Sequence, residues 1–138
     1  MKTTQPILIT NITAAAAIDK NLFVGFNGNL AAANAKPLGV SDAKADSGEM
    51  IPLISAGIAL VLSGAAVSQG ATLVSNSSGK AIAGTTLSAQ TPAGATAMLS
   101  TSPQPGMTIS GCVLPQAVAG FALDAATAAD QLIRILLV

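Results

Sequence analysis

Two stretches of this chain carry the same order of signals, and such a repeat restricts the fold more than any single motif. Each stretch, residues 22–54 and residues 73–136, has a glycine-turned hairpin, then a glycine, a short acidic turn and an apolar strand. The matched pairs are Gly28 with Gly79, Asp42 with Asp124, Ala43 with Ala125, Met50 with Leu132 and Ile51 with Ile133. The sequence therefore predicts a degenerate duplication, in which two halves of a small closed or stacked β structure bury each other.

The turn and strand signals predict an all-β fold. Asn27-Gly28 between apolar residues favours a hairpin, because both central residues of that turn need a positive φ. The predicted strands are Ile7–Ile12, Leu22–Phe26, Leu30–Ala33, Met50–Ser55, Gly57–Ser63, Ala71–Ser75, Lys80–Ala83 and Leu132–Val138. We therefore expect a small compact domain like a β-barrel or β-sandwich, with a pseudo-repeat and a polar N-terminal arm.

The length of 138 residues indicates one domain. Residues 1–10 are predicted to form the N-terminal arm and residues 11–138 a single β-rich domain. Met1–Pro6 has one charged side chain and ends in proline, so by itself it should be disordered. Residues 84–117 form a long insertion rich in proline, threonine and serine, with one possible strand at Met107–Leu114. A loop of that length is usually functional or ordered by a partner.

Charge is scarce in this chain. Six basic and six acidic residues make up 9% of it, against about 25% in a typical domain, and the net charge is zero. So few charges leave much apolar surface to cover, which predicts self-association, as a homotrimer, or binding to another protein. The lack of a basic run or patch argues against nucleic acid as a partner.

The side chains needed for catalysis or metal binding are scarce as well. The chain has no histidine, which excludes Ser–His and Cys–His pairs and histidine metal sites. Cys112 lies in an apolar run and is interpreted as a small buried hydrophobe. The acidic turn with Asp42, Asp46 and Glu49 lacks calcium-loop spacing and contains Lys44, which favours a solvated turn. We therefore predict no catalytic residue, no cofactor, no metal and no enzymatic activity.

Membrane insertion is not expected. The apolar stretch from Ile51 to Val67 is interrupted by proline, serine and glycine, and falls short of the roughly 20 residues of a spanning helix. Polar residues also break the faint likeness of the N-terminus to a secretory signal, which favours a cytoplasmic product. In the last strand, the lone Arg134 is expected to reach solvent or to pair with a carboxylate.

Read in order, these signals resemble the capsid decoration, or cement, proteins of tailed bacteriophages. The order and spacing of ordinary turns and strands, from about residue 12 to the C-terminus, carry the resemblance. Its segments are Asn27-Gly28, Pro37–Val40, Asp42–Glu49, Gly57–Val74, Ser78–Ala81 and Ala119–Ile135. The insertion at 84–117 departs from the family pattern, because it is longer and richer in proline.

The resemblance implies a compact β-rich fold, usually trimeric, bound outside an icosahedral shell at junctions between major capsid protein subunits. It implies a virion protein made in the host cytoplasm, with the major capsid protein and itself as partners and with no enzymatic activity. We expect the N-terminal arm to contact the capsid, together with one rim of loops. The expected contact residues are Met1, Lys2, Thr3, Thr4, Gln5, Pro6, Ile7, Leu8, Ile9 and Thr10.

Two other functions remain open from the sequence. One is another virion component, such as a head-fibre or tail base, which would share the composition and differ in where it attaches. The other is a small β-barrel that binds an apolar ligand in its aliphatic interior. A monomer in solution would fit the ligand carrier, whereas the decoration protein is expected to be a trimer.

Overall fold

The computed structural model describes residues 1–85 and 117–138. Residues 1–84 and 117–138 belong to one compact unit, which in the described part contains eight strands and no helix. The strands are β1 (Gln5–Thr13), β2 (Phe23–Val24), β3 (Gly39–Ser41), β4 (Met50–Leu62), β5 (Thr72–Ser75), β6 (Ala81–Ala83), β7 (Gly120–Ala122) and β8 (Leu132–Leu137). Cys112, the possible strand at Met107–Leu114 and all but the ends of the 84–117 insertion lie outside the described residues.

All eight strands belong to one antiparallel sheet. Its order is β2-β3-β4-β8-β7-β5-β6, and β1 pairs with β4 outside this path. The two ends of the sheet approach each other where the amide of Phe23 donates to the carbonyl of Gly79 at 2.7 Å. The sheet therefore curls toward a barrel, and the predicted all-β class is confirmed.

The order of strands is symmetric about the central pair β4–β8 apart from β6, as the predicted repeat requires. In the first repeat (residues 5–54) β4 pairs with β3, which pairs with β2; in the second repeat (residues 55–137) β8 pairs with β7, which pairs with β5. The registers agree as well: Val40 lies opposite Ile54 in the first repeat, and Phe121 lies opposite Leu136 in the second. Strand β4 runs from one repeat into the other.

The acidic turns of the two repeats also correspond, with a shift of one residue from the predicted alignment. The amide of Asp42 donates to Pro52, and in the second repeat the amide of Leu123, not Asp124, donates to Arg134. The alignment of Met50 with Leu132 is nevertheless correct, because the second turn has one residue more before the last strand.

The two predicted hairpin turns have the same geometry. Gly28 and Gly79 have φ values of 75° and 69°, and each amide donates to the carbonyl three residues earlier, that of Gly25 at 3.3 Å and that of Asn76 at 3.1 Å. The strands around the first turn are shorter than predicted, since β2 covers Phe23–Val24 alone and the predicted strand Leu30–Ala33 is reduced to an isolated bridge between Leu30 and Val24. Asn27 is not among the described residues with a positive φ, so the predicted turn with two left-handed central residues is wrong: each turn has one left-handed residue, its glycine.

The predicted break at Ala56-Gly57 is wrong, because β4 is one strand of 13 residues. Gly57 has a φ of 103° within it, and a Cβ there would lie 2.4 Å from the carbonyl oxygen of Gln5. The glycine therefore serves the close approach of β1, while β1 and β8 pair with β4 on either side of this residue and keep the strand continuous.

The N-terminal arm is shorter than predicted. Gln5–Thr10 belong to β1 and pair with β4, so that only residues 1–4 precede the first strand. The predicted strand at Ile7–Ile12 is confirmed within β1. Its extension to Gln5 depends on the edge of β4, a partner 50 residues away that the local sequence does not reveal.

Two hydrophobic clusters fill the interior, and they occupy equivalent places in the two repeats. Buried residues of the first repeat form the cluster Ala14, Ile18, Val24, Ala45, Ile51 and Leu53. Their counterparts by strand register, Val67, Leu73, Ala126, Ile133 and Ile135, lie in the larger cluster. That larger cluster also contains Phe23, Val40 and Ile54 of the first repeat. One face of the first repeat therefore packs on the core of the second.

Candidate partner-binding surface

Strand β1 presents consecutive apolar side chains to solvent. Ile7 is 84% exposed, and Leu8 and Ile9 are at least half exposed. The register shifts here, because Pro6 lies opposite Gly57 and Leu8 lies opposite Ala56, which leaves Ile7 as an extra residue in a β-bulge. Every residue from Gln5 to Ile9 is exposed, so the apolar side chains of this segment are accessible to a partner.

The residues before β1 are held by the second repeat. The Nζ of Lys2 donates to the carbonyl of Leu132 at 2.5 Å and lies 3.9 Å from an Asp124 carboxylate oxygen. This lysine therefore fixes the start of the chain beside β8. Sequence reasoning missed this contact, because the residues involved are 122 or more positions apart.

Asp124 and Arg134 form a bidentate ion pair next to Lys2. The guanidinium donates from Nε at 3.0 Å and from its terminal nitrogen at 2.8 Å, and the Arg134 amide donates to the same carboxylate at 3.1 Å. These hydrogen bonds lower the pKa of Asp124 from 3.8 to about 2, against the opposing effect of burial. The sequence-based expectation that Arg134 reaches solvent or pairs with a carboxylate is confirmed, since its half-exposed side chain does both.

A second exposed apolar surface lies on β7 and β8. Phe121 and Leu136 are directly opposite each other in the register, and each is 40% exposed. Ile58 of β4 lies opposite Leu136 on its other side and is half-buried. Exposed neighbouring apolar side chains of this kind are typical of protein-binding surfaces.

The acidic turn shows no metal-site geometry in the described part of the chain. No group of three or more potential ligands is close enough to hold a metal ion there. Instead, ion pairs connect this turn to residues 19 and 20: Lys20 lies 3.6 Å from Asp42, and Lys44 of the turn lies 3.5 Å from Asp19. Within residues 1–85 and 117–138, no helix has the length and apolar character to cross a membrane.

The structure divides the predicted contact residues into two groups. Met1–Thr4 precede β1 beside the second repeat, and Gln5–Thr10 lie on β1 itself. All are exposed except Thr4 and Thr10, which are half-buried. The sequence did not indicate that Phe121 and Leu136 would be exposed, since both lie in apolar segments that resemble core strands.

Comparison with known proteins gives a family and a similar solved structure. The model of a family described as phage cement protein matches residues 1–137. The crystal structure of the head fiber gp8.5 N base of bacteriophage phi29 is similar, with a TM-score of 0.60 and 16% identity, over 95% of this chain and 93% of that chain. No curated protein matches the chain.

Proposed function

Since this chain belongs to the phage cement protein family, we propose that it binds the outer surface of an icosahedral phage capsid and connects neighbouring major capsid protein subunits. It is a structural, capsid-associated virion protein. Its role is mechanical and not catalytic: the scarcity of ionisable side chains gives little material for acid–base chemistry, and the surface is apolar.

The observation that supports capsid contact is the exposed apolar strip on β1. Ile7, Leu8 and Ile9 are consecutive exposed apolar residues, and their contact with water does not stabilise an isolated monomer. Burial of one such side chain on a partner contributes about 1.5–3 kcal/mol. The Lys2 anchor leaves this edge accessible, because it holds the preceding residues on β8.

Stabilisation of the shell then follows from thermodynamic linkage. A subunit that binds the assembled shell and not its free components lowers the free energy of the assembled state. A homotrimer, the assembly we propose, contacts several shell subunits at once and increases the apparent affinity through avidity.

Shell binding by an Ile7→Asp variant tests the proposal. This residue is almost fully exposed, so the substitution should leave the isolated fold intact, and it should weaken binding to undecorated shells about tenfold or more. Co-sedimentation of labelled protein with shells gives the occupancy. Phe26→Asp is the matched control, because Phe26 is also exposed but lies on the first hairpin turn.

Equal loss of binding in both variants would argue for a nonspecific effect of the added charge. Unchanged occupancy of Ile7→Asp would exclude β1 as the contact. The loops, with 84–117 first among them, would then be the next candidates.

A further inference from the structure

The first repeat has one cross-strand row of side chains that is completely covered. Phe23, Val40 and Ile54 lie opposite one another on β2, β3 and β4, and all three are buried. They belong to the core cluster of the second repeat. This row is therefore the surface by which the first repeat packs on the second.

The second repeat has the same row in the same register, and it is exposed. Thr72, Phe121 and Leu136 lie opposite one another on β5, β7 and β8. Thr72 is exposed, and the two apolar side chains keep 40% of their surface accessible. Within residues 1–85 and 117–138, no third repeat follows to cover this row.

The surface that receives the row also exists twice. In the second repeat Val61 and Ala119 are buried in the cluster that contains the first repeat's row. Their counterparts in the first repeat are Ile12 and Leu38, and Leu30 packs on the same cluster as these two residues. Ile12 lies opposite Ile51, and Val61 lies opposite Ile133 in the equivalent register. The amide of Leu38 donates to the carbonyl of Val24 on β2, and the amide of Ala119 donates to that of Leu73 at the equivalent position of β5.

In the first repeat this receiving surface is open. Ile12, Leu30 and Leu38 pack on their own cluster and remain half-buried. The inner Ala119 is replaced here by Leu38, which is larger and leaves more apolar surface exposed. Each molecule therefore has an unfilled receiving surface on one repeat and an uncovered row on the other.

We infer that two copies of this chain associate head to tail, with the Thr72–Phe121–Leu136 row of one copy packed against the Ile12, Leu30 and Leu38 surface of the next. The inference rests on the self-association proposed above and specifies the surfaces that form it. The contact repeats between molecules the packing that joins the two repeats inside one molecule. A heterologous contact of this kind forms a closed ring when its rotation permits, as a trimer requires.

Substitution on the exposed row tests the contact. Phe121→Asp should weaken self-association of the isolated protein about tenfold or more, measured as the concentration dependence of mass in sedimentation velocity. Phe26→Asp should leave it unchanged. Thermal unfolding of both variants verifies that the fold is kept, and Leu136→Asp provides a second variant on the same row.

Mixing variants distinguishes a head-to-tail contact from a symmetric one. Leu38→Asp blocks the receiving surface and keeps the row, whereas Phe121→Asp blocks the row and keeps the receiving surface. Each alone should be monomeric, and an equal mixture should form dimers and nothing larger. Leu30→Asp replaces Leu38→Asp if the latter unfolds.

Three outcomes would overturn the inference: wild-type mass for Phe121→Asp, self-association of folded Leu38→Asp, or a mixture that stays monomeric. If Phe121→Asp keeps the wild-type mass but loses thermal stability, the result would indicate that residues 86–116 of the same chain cover the row. A wild-type protein that is monomeric but binds shells would contradict this contact, while capsid binding through β1 would remain supported.

Discussion

At the scale of single residues, charge is used sparingly and at particular positions. The Asp124–Arg134 pair is the only described ion pair with bidentate geometry, and it lies between β8 and the start of the chain. Lys2 adds a second cation on the same carboxylate. In a protein with so few charges, this cluster joins the start of the chain to β8 and to the turn that precedes β8.

The lowered pKa of Asp124 predicts acid-dependent stability. Because the pKa falls from 3.8 in the unfolded reference to about 2 in the fold, the pair stabilises the protein above about pH 4. That contribution decreases as the pH falls through about 2. Asp124→Asn should lower Tm at neutral pH and flatten the loss of Tm between pH 4 and 2. Asp46→Asn, on the exposed acidic turn, is the matched control and should keep the wild-type profile.

At the scale of elements, the two hairpin turns follow directly from the sequence because their chemistry is local. An Asn or Ser before a glycine specifies a left-handed turn residue wherever the partner strands lie. The glycine at the first turn is also constrained by packing, since a Cβ on Gly28 would lie 2.2 Å from the carbonyl oxygen of Thr13. Gly70 has a similar φ of 80° with nothing within 4 Å of that position.

These two glycines separate backbone strain from steric overlap. Gly70→Ala should cost about 1–2 kcal/mol of the free energy of unfolding, from the left-handed φ alone. Gly28→Ala adds the displacement of Thr13 and should cost about 2–5 kcal/mol in total. Urea denaturation followed by far-ultraviolet circular dichroism measures both, and equal costs would show that β1 moves freely to accommodate the methyl group.

The elements that sequence reasoning missed depend on distant partners. Strands β3 and β7 have three residues each and no strong β propensity, so they are recognisable as strands only through pairing with β4 and β8. Likewise Gly57 resembles a turn signal, but the strands beside it keep β4 continuous. For the same reason, the local sequence does not indicate the exposed row on β7 and β8.

At the scale of the whole molecule, β4 makes the two repeats one folding unit. Its first half lies beside β1 and β3, and its second half pairs with β8. Ile54 of the first repeat is part of the second repeat's core. We therefore expect no stable state in which one repeat is folded and the other is unfolded.

Matched core substitutions test this cooperativity. Leu53→Ala in the first cluster and Ile135→Ala in the second remove fully buried side chains at equivalent positions. Each should cost about 2–5 kcal/mol and shift a single transition. Differential scanning calorimetry should give equal calorimetric and van't Hoff enthalpies for both variants. Two resolved transitions, one sensitive to each substitution, would show that the repeats unfold independently.

The continuity of β4 also has a genetic consequence. If the two repeats were separate but identical chains, every mutation would alter both sides of their contact at once. Fused into one chain, they mutate independently, so Ala119 can remain small at the inner contact while its counterpart Leu38 becomes large at the outer surface. The same ancestral surface can therefore form the contact between the repeats in the second repeat, and can evolve to bind other partners in the first repeat.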